Sequence, residues 1–99
     1  MGRVRRHQVV EEEIVAVAEA AVASKVLDHI VRSIVDNPEQ VRIEAVDDEG
    51  VIILEVRVAD GDLGRVIGRR GRTAQNIRAL VRAAAEKDGV EVDVDFLDD

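Results

Sequence analysis

Residues 63–82, Leu63-Gly64-Arg65-Val66-Ile67-Gly68-Arg69-Arg70-Gly71-Arg72-Thr73-Ala74-Gln75-Asn76-Ile77-Arg78-Ala79-Leu80-Val81-Arg82, decide how the rest of the chain is read. Gly68 and Gly71 bracket two arginines. Residues without a Cβ let a sugar-phosphate backbone come close to the peptide chain, and they take positive φ where one helix stops and the next starts. Downstream, Thr73, Ala74, Ile77, Leu80, Val81, Ala84 and Ala85 recur at helical spacing. That spacing predicts a helix with Arg72 near its N-terminus, where free N–H groups attract anions. From Leu63 to Ala85 there are six arginines and no Asp or Glu, in a chain of net charge −7, so the remainder carries −13. Such a contrast points to a phosphate-binding site.

A GxxG pattern also fits an ordinary helix-to-helix turn with a solvated arginine face, and the chain holds a second copy, Gly61-Asp62-Leu63-Gly64. Acidic residues in and before that copy suit helix N-capping and repel phosphate. A structural role is expected for it, with Asp60 capping a short helix over about residues 62–67.

Composition removes several classes. Ninety-nine residues make one domain with room for a single core. With 46% hydrophobic and 35% charged residues the chain is neither disordered nor membranous, and no run reaches the roughly 18 apolar residues of a spanning helix. The absence of cysteine excludes disulfides, thiolate metal sites and Cys nucleophiles, and fits a reducing, cytoplasmic location. Phe96 is the one aromatic residue, so bases cannot be read by stacking on an aromatic surface. His7 and His29 have no neighbouring partner set for a metal or a general base, and no Walker A or GxGxxG pattern occurs. No catalytic residue, metal or cofactor is expected.

In order along the chain, Arg3, Arg5 and Arg6 form a basic tail that the glutamates at 11–13 separate from the alanine-rich segment 14–23. Those glutamates and Glu19 interrupt what would be a signal-peptide core, and a solvated tail followed by a helix is expected. In that helix Ile14, Val17, Ala18 and Ala21 form one stripe, leaving Val15 and Val22 on another side. Val26, Leu27, Ile30, Val31, Ile34 and Val35 continue at helical spacing to Asn37-Pro38, which ends the helix. Whether 14–23 belongs to the same helix is open at this level. Alternation predicts strands over 41–45, 51–58 and 90–96, the first two joined by a turn at Asp47-Asp48-Glu49-Gly50, and a helix over 72–87 stopped by Asp88-Gly89. The order is α-β-β-α-α-β, an α+β fold with a three-stranded mixed sheet and its helices on one face.

That order, with Val66-Ile67-Gly68-Arg69-Arg70-Gly71 between the consecutive helices, resembles a type II KH domain. More narrowly, Asp36-Asn37-Pro38, Asp62-Leu63-Gly64-Arg65-Val66-Ile67-Gly68 and Gly71-Arg72-Thr73-Ala74 resemble the small bacterial KhpA-type proteins, over about Ser24 to Leu97. The resemblance implies a KH domain over 24–99 preceded by an N-terminal extension over 1–23, the latter being lineage-specific or the product of a start codon placed too early. It implies a non-catalytic protein, an RNA chaperone or post-transcriptional regulator, that clamps single-stranded RNA through Arg65, Ile67, Gly68, Arg69, Arg70, Gly71, Arg72, Thr73 and Asn76. The loop amides and Arg69, Arg70 and Arg72 would hold the backbone, while Ile67 would floor a groove for about four unstacked bases. Weak sequence preference is expected, with no membrane and no small-molecule substrate as partner. Self-pairing as a homodimer, or pairing with a related KH/Jag-type protein, is implied as well. Two other readings compete: an interaction module in which RNA binding is secondary, and single-stranded or duplex DNA binding of helix-turn-helix type.

Overall fold

The structure, a computed structural model, describes residues 15, 16 and 18–98. The basic tail and the glutamate run, together with Ile14 and Val17 of the predicted stripe, lie outside the described residues. The elements are helix α1 (Ala21–Ile34), a 3-10 turn (Pro38–Gln40), strands β1 (Arg42–Asp48) and β2 (Val51–Arg57), helix α2 (Leu63–Ile67), a 3-10 turn (Arg69–Gly71), helix α3 (Arg72–Asp88) and strand β3 (Glu91–Phe96). The sheet order is β1-β2-β3, antiparallel between β1 and β2 and parallel between β2 and β3. This is the α+β, mixed-sheet arrangement that the KH resemblance implies.

One face of the sheet makes the core. Ala45, Ile52, Leu54, Val56, Val92 and Val94 are buried and meet Leu27 and Val31 of α1, Val66 of α2 and Ile77, Val81 and Ala85 of α3 in one cluster. The alternation of β2, with Ile52, Leu54 and Val56 in and Val51, Ile53 and Glu55 less buried, puts all helices on that side. The other face meets solvent, and there Glu44, Glu55 and Asp95 stand side by side across the three strands. The β1–β2 turn is tighter than predicted. The strands pair up to Asp48 and Val51, leaving Glu49 (φ 52°) and Gly50 (φ 91°) as the two turn residues, with the Gly50 N–H donating to Asp47 Oδ1 at 3.0 Å.

Residues before α1 are helical at Val15, Ala16, Ala18 and Glu19, and the backbone departs from helical geometry at Ala20 (φ −111°, ψ 37°). Hydrogen bonds from Ala20 N to Ala16 O (3.1 Å) and from Ser24 N to Ala20 O (2.8 Å) carry the chain across that break. The buried stripe is Ala16, Ala20, Ala23, Leu27 and Val31. It differs from the stripe predicted for 14–23: Ala18 is exposed and Ala21 half-buried. Small residues let this end of the helix lie close to the core.

Alanine at position 20 cannot cap α1, and no side chain of its own N-terminus does so. Asp88, in the last turn of α3, takes that role from 66 positions away. Its two carboxylate oxygens accept from Val22 N at 3.1 Å and Ala23 N at 3.0 Å. At the same end of α3, immediately past Asp88, Gly89 adopts φ 70° and closes the helix as a left-handed cap, as the Asp88-Gly89 stop predicts.

Candidate nucleic-acid interface

The loop between α2 and α3 is built from three successive departures from ordinary backbone. Gly68 ends α2 at φ 75°, ψ 175°, a region only glycine occupies freely; Arg70 (φ 57°, ψ 24°) and Gly71 (φ 74°, ψ 11°) are left-handed. A Cβ on Gly68 would collide with Thr73, whose Cβ would be 2.6 Å away, so the loop is folded down on the first turn of α3. Holding arginine in the left-handed region costs about 1 kcal/mol or more, and strain of this kind concentrates at ligand sites. Among the described residues no side chain caps the N-terminus of α3. Its first-turn N–H groups therefore face the loop without a side-chain acceptor.

The six arginines divide into two sets. Arg69, Arg70 and Arg72 are exposed around the loop, and their side chains form no hydrogen bond or ion pair among the described residues. The other three are engaged, although their own stretch contains no acid. Arg65 pairs with Asp36 (Nη2 to Oδ2, 3.0 Å) and approaches Asp62 at 4.0 Å. Arg82 pairs with Asp93 at 2.9 Å. Arg78 lies over the Phe96 ring, 5.4 Å from its centroid, and donates Nε–H to Val94 O at 3.2 Å. The block of positive charge is thus unopposed only at the loop.

Of the other residues singled out in the sequence, Ile67 and Thr73 are half-buried beside Gly68, whereas Asn76 is exposed. Ile67 packs against the core cluster at the loop's edge, which suits a groove floor. Gln75 and Arg78 were not among the sequence-derived candidates, yet they follow Arg72 at i+3 and i+6 on one flank of α3, a spacing visible in the sequence. With Arg82 they line one wall of a shallow cavity of about 690 Å³. The far side, formed by Asp93, Val94 and Asp95 of β3, Ile53 and Glu55 of β2 and Val46 to Asp48 of β1, wraps the β3 edge onto the open face of the sheet.

The second GxxG is organised by Asp62 and not by Asp60. Helix α2 starts at Leu63, Asp60 is exposed in the preceding turn, and among the described residues no side chain caps α2. The Asp62 carboxylate, 2% exposed, turns away from its own helix and accepts from Asp36 N (3.2 Å), Asn37 N (3.0 Å) and Asn37 Nδ2 (3.2 Å). Burial pushes this carboxyl up, but the amides of Asp36 and Asn37 and the nearby Arg65 charge outweigh it and hold it below its ordinary value. Asp62 thereby fixes the start of α2, and so the loop, against the end of α1.

Among the described residues no cluster of His, Cys, Asp or Glu could hold a metal ion, and no helix is long and apolar enough to cross a membrane. The KhpA/KhpB KH-domain family model matches residues 24–96. Among curated proteins the chain is 53% identical over 73 residues to a protein of Leifsonia xyli subsp. xyli, spanning 74% of this chain and 93% of that one. Identity is 40% over 73 residues to a Chlamydia trachomatis protein (74% and 94%) and 40% over 74 residues to one from Borreliella burgdorferi (75% and 90%). All three are named RNA-binding protein KhpA, for binding and not for catalysis. With the mixed sheet, the paired helices and the GxxG turn between them, these matches establish that the chain belongs to the KhpA/KhpB family of KH domains.

Proposed function

We propose that this chain is an RNA-binding protein that holds short single-stranded RNA at the Gly68–Gly71 loop, in the cytoplasm, as a chaperone or post-transcriptional regulator. The observation that carries the reading is the segregation of arginines: the side chains of Arg69, Arg70 and Arg72 are exposed, without partners among the described residues, at a helix N-terminus that none of those residues' side chains caps. Phosphate oxygens supply the acceptors that such a place lacks. Gly68 and Gly71 keep the backbone open to close approach, Thr73 and Asn76 offer polar groups on the first turns of α3, and Ile67 gives unstacked bases an apolar floor. Arg65 supports the loop through Asp36 and Asp62 as much as it faces RNA. The KH unit spans 24–99 on this reading, with 1–23 an extension whose final turns pack into it.

The test is the double substitution Arg69→Asp/Arg70→Asp, titrated against single-stranded and duplex RNA. Loss of single-strand binding in a variant with an unchanged melting curve is expected, because exposed substitutions shift stability by about 0.5 kcal/mol or less. Undiminished affinity would overturn the clamp. Preference for the duplex would favour helix-turn-helix binding instead. A second reading, pairing with a like or related KH chain, is favoured by Val15 and Val22, exposed by 53% and 37% at the start of the helical layer. A monomeric mass for the full chain, alone and with a related KH protein, would remove it.

A further inference from the structure

The wall of the cavity between α3 and the edge of β3 carries one base-reading group that the clamp does not use. Because Leu97 N bonds to Val56 O, the odd-numbered residues of β3 turn their backbone toward β2 and Val94 turns its N–H and C=O to the free edge. Both groups are already engaged. The N–H donates to Asp93 Oδ1 at 3.0 Å, the same oxygen that Arg82 holds at 2.9 Å, and the C=O accepts from Arg78 Nε. What this part of the edge offers a ligand is therefore the arginine fork. Arg78 is half-buried, fixed at Nε by Val94 O and in its plane by Phe96, and its two terminal nitrogens make no hydrogen bond or ion pair among the described residues. It lies six positions beyond Arg72, about 9 Å along α3 at 1.5 Å per residue, so the next nucleotides of a strand gripped at the loop pass it.

The rest of the cavity selects what enters. Asp95 on β3, Glu55 on β2 and Asp47 and Asp48 on β1 repel phosphate, so a strand presents a base there and keeps its backbone at the loop. Guanine alone among the four bases combines an edge of two adjacent acceptors, O6 and N7, with an edge of adjacent donors, N1–H and the 2-amino group. The first suits a fork of two arginine N–H groups and the second suits a carboxylate. We propose that Arg78 is a specificity-determining residue that reads guanine through O6 and N7. The proposal rests on the clamp reading above and adds a base preference to it.

The experiment is a titration of the full chain with three single-stranded RNA probes: an all-uridine octamer, the same octamer with one central guanosine, and that octamer with 7-deazaguanosine in its place. Tighter binding of the guanosine probe, by about five-fold or more, with most of the gain lost on removal of N7, is the expected result. Arg78→Gln should bring the guanosine probe to the affinity of the uridine probe and leave the latter unchanged. The 7-deaza comparison uses the native protein, so it decides the matter even where the variant folds poorly. Equal affinities for all three probes, abolished together by Arg69→Asp/Arg70→Asp, would overturn guanine reading and leave the clamp standing. No binding to any probe would overturn both.

Discussion

The carboxylate of Asp62 accepts hydrogen bonds from both the backbone and the side-chain amide of Asn37, joining two motif segments 25 positions apart. The folded-state pKa of Asp62 is lowered from its ordinary 3.8. A lowered carboxyl contributes stability that is fully present above the unfolded-state value and is lost as pH falls through the folded value. The Tm of the native protein should therefore carry an extra downward slope on acidification below about pH 4, the carboxyl value of an unfolded aspartate. Asp62→Asn should melt lower at pH 7 and lack that slope. Parallel Tm-against-pH curves for the two proteins between pH 7 and 3 would refute the assignment.

Gly68→Ala combines a backbone region closed to alanine with a collision at Thr73. A loss of about 1–3 kcal/mol in urea denaturation is expected from the backbone alone. Gly71→Ala meets nothing within 4 Å and should cost less, about 1 kcal/mol, since only its left-handed backbone is at issue. Equal losses for the two would show that contact with Thr73 plays no part in shaping the loop.

Asp88 supplies to the second and third residues of α1 the acceptors that an N-cap side chain ordinarily provides. Asp88→Ala should cost about 1 kcal/mol, as removal of a cap does, which lowers Tm by roughly 4–8 °C in a domain of this size. Amide exchange at Val22 and Ala23 should accelerate in the variant. If exchange at those two amides is unaltered, the carboxylate is not their partner in solution.

With three unpaired arginines at the loop, binding of single-stranded RNA should weaken with salt at a slope of about −2 in log K against log salt, from ~0.7 per phosphate contact. All six arginines acting together would give about −4. The steeper slope would mean that Arg65 and Arg82 leave their aspartates on binding.

The topology was readable because its signals are local. Alternation in 51–58, the proline at 38 and the glycine at 89 each act on their own neighbours, and the observed elements follow them within a residue or two, apart from α1 ending at Ile34 and β1 running past the predicted 45 to Asp48. The loop was readable for the same reason. What escaped was contact across the chain. Asp36 and Asp93 lie outside the arginine-rich stretch, so its charge looked unopposed until the fold brought them to Arg65 and Arg82. Local capping rules chose Asp60 for α2, whereas Asp62 finds unpaired amides at the end of α1. Of the stripe predicted in 14–23, Ala18 and Ala21 fall among the described residues, and close packing against the core takes the alanines at 16, 20 and 23 instead.

The open face of the sheet, with Glu44, Glu55 and Asp95 in one row, sets a limit on crowding. On the proposed reading, an RNA strand leaving the loop is turned aside by that face, and two copies bound to adjacent stretches confront each other with like-charged flanks. Occupancy along a long transcript would then be sparse and independent, one short grip at a time, with no tendency to spread into a continuous coat. A binding isotherm on long unstructured RNA with a Hill slope near one is the expected sign, and a sharply sigmoidal isotherm would show the flanks do not keep neighbours apart.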